Sequence, residues 1–296
     1  MRVQKNLPFQ RDKLLKDLST FEIGGRASYF VEVSFADQLA LILPFLAREK
    51  IPYLILGKGS NVLFDDRGYN GVVILNKIIS YQKKEDVLSV GAGYSFSLLG
   101  MRTARESLSG LEFAAGIPAT VGGALFMNAG AGADETCNPL VEVTYVTEEG
   151  EKLSLSKKNL NFGYRFSSFQ QMKGAIVGAK FRLTPSEEAQ KRVQAIISRR
   201  LLTQPCKERS AGCVFRNPAS GPSAGWLIDQ AGLKGRAIGG AEVSTIHANF
   251  IINRGNATAH DVLSLAELIQ RVVKEKSGVL LEREIHYIPF SSYVSR

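Results

Sequence analysis

Leu54-Ile-Leu-Gly-Lys-Gly-Ser-Asn61 places two glycines, a lysine and a small hydroxyl directly after a strand-like apolar run. Glycine lets backbone N–H groups approach phosphate oxygens with no Cβ in the way, so this stretch is either a tight turn or an anion site. It is not the dinucleotide fingerprint of a Rossmann fold: the third glycine is missing, and Val62-Leu-Phe64 follows where a helix should start. Nor is it a P-loop, whose first glycine has no counterpart here. Upstream, Gly24-Gly25 precedes the β-like run Ala27-Ser-Tyr-Phe-Val-Glu-Val33. Residues 35–50 carry apolar side chains at helical spacing, and Ile51-Pro-Tyr-Leu-Ile-Leu56 has the pattern of a buried strand. The order leading into the loop is therefore β-α-β.

Downstream lies a second loop of the same kind, Ala115-Gly-Ile-Pro-Ala-Thr-Val-Gly-Gly-Ala-Leu-Phe-Met-Asn-Ala-Gly130. So many glycines in a short apolar stretch mark either a glycine-packed chain crossing or a backbone that passes close to something flat or charged. Two such loops on one scaffold, with no metal-ligand set, point toward a large dinucleotide cofactor such as FAD. Further strands are expected at 71–75, 87–90, 141–146, 175–183, 248–253 and 279–288. Helices are expected at 97–107, at 186–202 with Glu187 and Glu188 in its first turn, at 225–231, and at 260–277 with its N-cap near Thr258. Residues 204–223, rich in Pro, Gly, Ser and Arg, mark a change of composition. The fold class is α+β, in about three units.

The composition, 296 residues with 45% hydrophobic and 22% charged, suits a globular chain able to bury a sizeable core. The N-terminus has no apolar signal region, and the densest apolar stretch, 39–47, is too short to span a bilayer. Cys137, Cys206 and Cys213 are odd in number and form no C-x-x-C pair, and His247, His260 and His286 form no metal-binding motif. A cytoplasmic protein with no structural metal is expected. Lys plus Arg is 37 against 28 for Asp plus Glu, a net +9 that favours anionic ligands. The densest basic cluster (Lys191, Arg192, Arg199, Arg200) falls on a helix-like segment, where a solvated face is the simpler account. No nucleic-acid-binding module is visible.

Seven stretches in order resemble the MurB family of flavin-dependent reductases along nearly the whole chain. They are Ser19-Thr-Phe-Glu-Ile-Gly-Gly-Arg-Ala, Leu56-Gly-Lys-Gly-Ser-Asn-Val-Leu63, Gly116-Ile-Pro-Ala-Thr-Val-Gly-Gly, Gly163-Tyr-Arg-Phe-Ser-Ser-Phe169, Ser210-Ala-Gly-Cys-Val-Phe-Arg-Asn-Pro218, Ala224-Gly-Trp-Leu-Ile-Asp-Gln-Ala-Gly-Leu-Lys-Gly235 and Leu281-Glu-Arg-Glu-Ile285. The resemblance implies a two-part FAD-binding region of the MurB/vanillyl-alcohol-oxidase-like type plus a C-terminal α+β substrate domain. The implied units are 1–75 joined by the C-terminal strand 279–296, then 76–202, then 203–278. It also implies that NADPH reduces bound FAD, which passes hydride to the enolpyruvyl group of a UDP-sugar in peptidoglycan precursor synthesis. The cofactor contacts expected are Gly57, Gly59, Ser60 and Asn61 in the first loop, and Gly116, Ile117, Pro118, Thr120, Gly122, Gly123 and Asn128 in the second.

For the chemistry, the resemblance assigns Arg165 to stabilising an enolate-like intermediate and Glu284 as the catalytic glutamate. Strand alternation alone leaves Glu282 and Glu284 equivalent, on one face with His286; the family pattern selects Glu284. Cys213 stands where most relatives have serine as the proton donor. A thiol, with an ordinary pKa near 8.5, is mostly protonated at neutral pH and preserves that role; the simpler account is a small buried residue that only packs. On the substrate side Asn217 matches a family asparagine, His247 is either a polar substrate contact or a structural histidine, and Arg216 meets a carboxylate or diphosphate or sits on the rim. The short spacing between Phe169 and the strand at 175 implies the family's shorter form, without the insertion that carries a substrate-contacting tyrosine. A monomer acting on a small molecule, with no membrane or nucleic-acid partner, is expected. Two rivals are a flavin oxidase of the wider FAD group, which would share both loops, and a basic nucleotide- or RNA-binding protein, which would explain the charge alone.

Overall fold

The computed structural model describes residues 9–290. The chain begins with β1 (Gln10–Leu14) and β2 (Arg26–Val33), then α1 (Ala36–Arg48), β3 (Tyr53–Leu56), β4 (Val62–Phe64) and β5 (Gly68–Asn76). Strands β1, β2, β5 and β3 form one sheet in that order, with β5 parallel to both β2 and β3. This is the β-α-β order expected from the apolar spacing. Its helix α1 buries Leu39, Ile42, Leu43 and Leu46 on one stripe.

Next come β6 (Tyr81–Lys84), β7 (Val87–Gly91), α2 (Phe96–Arg105), α3 (Val121–Phe126), β8 (Leu140–Thr147), β9 (Lys152–Ser156) and β10 (Gly174–Arg182). Strands β9, β8, β10, β7 and β6 make an antiparallel sheet. Val146, Ala175 and Val177 of that sheet join α1 in one core with Val31, Val72 and Ile74, so α1 is packed between the two sheets. On the other side, Leu88, Val90, Val143 and Phe181 bury Phe96 and Leu99 of α2 and Val121 and Leu125 of α3.

Helix α4 (Ala189–Thr203) follows, then α5 (Ala224–Gln230), β11 (Ala237–Ile238), β12 (Ala241–Val243), β13 (Ile251–Asn253), α6 (Ala259–Ser277) and β14 (His286–Ile288). Helix α6 is stated clearly in the sequence. Thr258 caps it with Asp261 completing a capping box, Gly278 at φ 74° ends it, and Val262, Leu265, Ala266, Ile269 and Val273 form its buried stripe. Those residues share a core with Leu227 and Ile228 of α5, and also with Phe21, Ile23 and Leu63 from the first part of the chain.

Three expected elements differ from what forms. The helix expected from 186 starts at Ala189, with Glu188 at its N-cap and no acidic residue in its first turn. Just before it, Pro185 pairs with Leu108 and the Ser186 amide donates to Ser107, which keeps the chain extended. The strand expected at 248–253 is only β13, because Asn249 is used differently. Its side chain accepts from the Phe215 amide at 2.9 Å and donates to the Phe215 carbonyl at 2.8 Å. The final strand is limited to β14, since the segment before it has another partner. Arg216 N–H donates to Glu282 O and Glu284 N–H to Val214 O, and only from His286 onward does the chain run parallel to β4.

Candidate active site

The two glycine loops meet face to face. A Cβ at Gly57 would collide with Thr120 Oγ1, and one at Gly59, whose φ is +67°, would collide with the Leu18 carbonyl. Glycine is thus required at both positions by a close approach, and at Gly59 by backbone conformation as well. Thr120 caps α3, its hydroxyl accepting from the Gly123 amide. Between the loops opens a cleft of about 980 Å³ that continues to Arg165, Cys213 and Glu284.

Gly57, Gly59, Ser60, Asn61, Ile117, Pro118, Thr120, Gly122 and Gly123 line this cleft. Gly116 and Asn128 do not. Gly116 instead faces α4, where a side chain would press on Ile196 and Arg200. Asn128 is fully buried and spends its side chain internally, donating to Glu135 and to the Gly163 carbonyl and accepting from the Cys137 amide. Its effect on the site is indirect, through the turn that carries Arg165.

That turn is Tyr164-Arg165, closing a hairpin in which Phe162 pairs with Ser167 and Gly163 with Phe166. Arg165 adopts φ 55°, a left-handed conformation that costs a non-glycine residue about 1 kcal/mol or more. Gln170 Nε2 donates to the Arg165 carbonyl at 3.1 Å and so helps to hold the turn. The strained backbone aims the guanidinium inward, where Nε donates to Glu284 Oε1 at 2.8 Å and an outer nitrogen to the Gly130 carbonyl at 3.2 Å. The cation also lies 4.8 Å from the centroid of the Tyr164 ring.

Glu284 is brought here by the hydrogen bond that its backbone N–H donates to the carbonyl of Val214, one residue past Cys213. Its side chain is 13% exposed and that of Arg165 20%. Burial raises the Glu284 pKa, partly offset by the charges of Arg165 and Arg216. Glu282, which alternation left equivalent, is exposed and does not line the cleft. The Cys213 thiol is pushed up to about 12 by burial and by Glu284, against smaller opposing effects of Arg165 and Arg200. It is therefore a protonated thiol at any physiological pH.

The expected substrate-side residues do not line the cleft. Asn217 Oδ1 accepts from the Ala224 amide at the start of α5, and its own amide donates to the Tyr164 hydroxyl at 3.3 Å. Arg216 reaches the Arg165 carbonyl at 3.5 Å, and its buried Nε has no acceptor among the described residues. His247 accepts from the Asn249 amide through Nδ1 and packs edge-on to Phe250, as a structural histidine does.

Arg200 and His286 also line the cleft, although neither lies in a stretch whose sequence assigns it to the site. Arg200 belongs to the basic cluster for which a solvated face is the simpler expectation. Lys191 and Arg199 are exposed as that account expects, whereas Arg192 makes a two-nitrogen bond to the buried Glu112. His286 had one signal in the sequence, its even spacing from Glu284. Among the described residues no group of three or more His, Cys, Asp or Glu side chains is placed to hold a metal ion, and no helix is long and apolar enough to cross a membrane.

Residues 27–156 match the model of an FAD binding domain, and residues 204–288 that of the UDP-N-acetylenolpyruvoylglucosamine reductase C-terminal domain. A UDP-N-acetylenolpyruvoylglucosamine reductase of Protochlamydia amoebophila is 56% identical over 283 residues, 95% of this chain and 94% of that protein. One from Chlamydia muridarum is 49% identical over 289 residues, 97% and 95% of the two lengths. The crystal structure of UDP-N-acetylenolpyruvylglucosamine reductase (MurB) from Thermus caldophilus superposes with a TM-score of 0.81 at 38% identity, covering 95% of this chain and all of that one.

Proposed function

The chain belongs to the UDP-N-acetylenolpyruvoylglucosamine reductase family, and on that premise we propose how its own residues divide the work. The protein is an FAD-dependent oxidoreductase that uses NADPH to reduce the enolpyruvyl ether of UDP-N-acetylglucosamine to UDP-N-acetylmuramate, a peptidoglycan precursor. The residues present fit FAD: Gly57 and Gly59 of the first loop and Gly122 and Gly123 of the second bring backbone without side chains to one cleft, which also reaches the paired Arg165 and Glu284. When bound, FAD supplies the two-electron relay between NADPH and the enolpyruvyl carbon.

The single observation that carries the assignment of roles is the buried Arg165–Glu284 pair in one cleft with the Cys213 thiol. Arg165 stabilises the negative charge that develops beside the substrate carboxylate, a task suited to a fixed cation in a water-poor site. Glu284 holds the guanidinium in that orientation. Cys213 gives its proton to the carbon next to the carboxylate, and solvent restores it. Arg216 adds positive charge near Glu284, while Asn217 and His247 support the wall of the site through their own hydrogen bonds. Gly57, Gly59, Ser60 and Asn61 with Ile117, Pro118, Thr120, Gly122 and Gly123 form the cofactor cradle, buttressed by Gly116 and Asn128.

The division of the strands into sheets supports three units: 1–75 with 279–296, joined where β14 pairs with β4, then 76–202, then 203–278. Residues 1–8 and 291–296 of the first lie outside those described. The passage from Phe169 through a short 3₁₀ turn directly to Gly174 supports the family's shorter form. A single chain supplies all three catalytic groups, which supports a monomer, and three unpaired cysteines support a reducing, cytoplasmic location. Anaerobic mixing tests the whole reading: NADPH should bleach the yellow protein, and the enolpyruvyl sugar nucleotide should restore its colour. Rapid recolouring by oxygen with no response to the sugar nucleotide would favour an oxidase.

A further inference from the structure

His286 lines the cleft beside Glu284 and is unused in the mechanism above. Its backbone amide donates to the Asn61 carbonyl at 3.0 Å, in the ladder that sets β14 beside β4, so the residue is fixed to the end of the first glycine loop. Its imidazole is edge-on to Phe126, with centroids 6.0 Å apart, and Nε2 lies 3.1 Å from Met127 Sδ. Phe126 and Met127 end the helix that starts in the second glycine loop. Both cofactor loops therefore meet at this one residue, the first through its backbone and the second through its imidazole. The Arg165–Glu284 pair begins two residues back along the chain. The ring system of FAD contains the atom that hands over hydride, so with the diphosphate at the glycine loops the ring has to reach the Arg165–Glu284 pair, and His286 lines the same cleft two residues from Glu284.

The charged and titratable groups around the imidazole are Glu284 on its own segment, Cys213 and Arg216 on the segment paired with it, and Arg165 on the hairpin. From α3 and β4 the neighbours are apolar. Burial and the Arg216 charge hold the imidazole below its ordinary pKa.

We propose that His286 packs against the ring system of FAD as its charge-matching group, neutral beside the oxidised ring and protonated once the ring has accepted hydride. NADPH gives up hydride and becomes NADP⁺, the ring gains two electrons and a net negative charge, and one proton passes from solvent to the imidazole. That proton returns to solvent when the hydride moves on to the enolpyruvyl carbon. The proposal rests on the flavin reading of the cleft and deepens it.

The test is the two-electron reduction midpoint of the yellow holoenzyme, followed spectroscopically against reference dyes from pH 6 to 9. Each proton taken up with the two electrons changes the reduction equilibrium tenfold per pH unit, about 30 mV. The wild type should take up one proton more than His286→Gln across the window in which the imidazole titrates. His286→Arg should restore the higher midpoint of the wild type without restoring the extra proton. Flavin absorbance relative to protein absorbance, with far-UV circular dichroism, verifies that each variant is folded and loaded. Equal proton counts in wild type and His286→Gln overturn the proposal. A wild-type protein that stays colourless in added FAD fails earlier, by refuting the flavin reading itself.

Discussion

At Cys213 the chemistry turns on which form of the side chain burial favours. Desolvation penalises the thiolate and the neighbouring carboxylate of Glu284 adds to the penalty, so the group stays a proton carrier. Serine, with a similar size and a transferable proton, should therefore substitute, and Cys213→Ser should remain a working enzyme. Cys213→Ala should turn over the enolpyruvyl substrate slower by about 10²–10⁴ while NADPH still bleaches the flavin normally. Stopped-flow absorbance separates the two half-reactions, and an alanine variant as fast as wild type would leave the thiol a packing residue. Arg165 differs in kind, because its charge is needed only once negative charge develops on the substrate. Arg165→Met should slow reoxidation by the sugar nucleotide about 10²–10³ and spare reduction by NADPH. Equal losses in both half-reactions would show that the residue supports the fold or the cofactor instead.

Among the elements, α6 is the one whose start is shared between distant parts of the chain. Thr258 and Asp261 cap it locally, but Asp66, from the loop between β4 and β5, also accepts from the amides of Ala259 at 2.8 Å and His260 at 3.3 Å. A carboxylate at a helix N-terminus satisfies orphan donors and complements the dipole. Asp66→Ala should cost about 0.5–2 kcal/mol, read as a lower urea midpoint with an unchanged slope. No change in midpoint would mean that the local capping box suffices. The tip carrying Arg165 shows the opposite economy: a two-residue turn holds a left-handed arginine because Asn128, Gln170 and Arg216 bind its carbonyls.

Over the whole molecule, the C-terminal segment returns to the first unit and is clipped there. Tyr287 donates to Asp65 Oδ2 at 2.5 Å, and Arg67 grips the same carboxylate through two nitrogens. The Arg67 hydrogen bonds, with help from Tyr287, hold the buried Asp65 carboxyl well below its ordinary range in spite of desolvation. A carboxylate depressed in the folded state stabilises the fold above its unfolded pKa of about 3.9, and that contribution is lost as pH falls below this value. Wild type should thus lose stability between about pH 4 and pH 2 more steeply than Asp65→Asn, which has no such group to protonate. Thermal unfolding across that range checks the difference, and parallel curves would remove Asp65 from the account of acid sensitivity.

The elements and the cofactor class were legible in local sequence, because glycine spacing, capping residues and apolar periodicity act within a few residues of themselves. The motif at 163–169 and the final Leu281-Glu-Arg-Glu-Ile285 likewise carried Arg165 and Glu284 into view as candidates. What the sequence by itself left open was the choice between Glu282 and Glu284, the idle look of His286 and Arg200, and the places of Gly116 and Asn128. Each of these depends on a partner far along the chain. Glu284 turns inward because its amide pairs with Val214, Gly116 is covered by α4, and Asn128 is tied to the Gly163 carbonyl. Hydrogen bonds and burial between residues tens to hundreds apart have no local signature, so only the tertiary structure decided which polar groups face the cleft and which hold its walls.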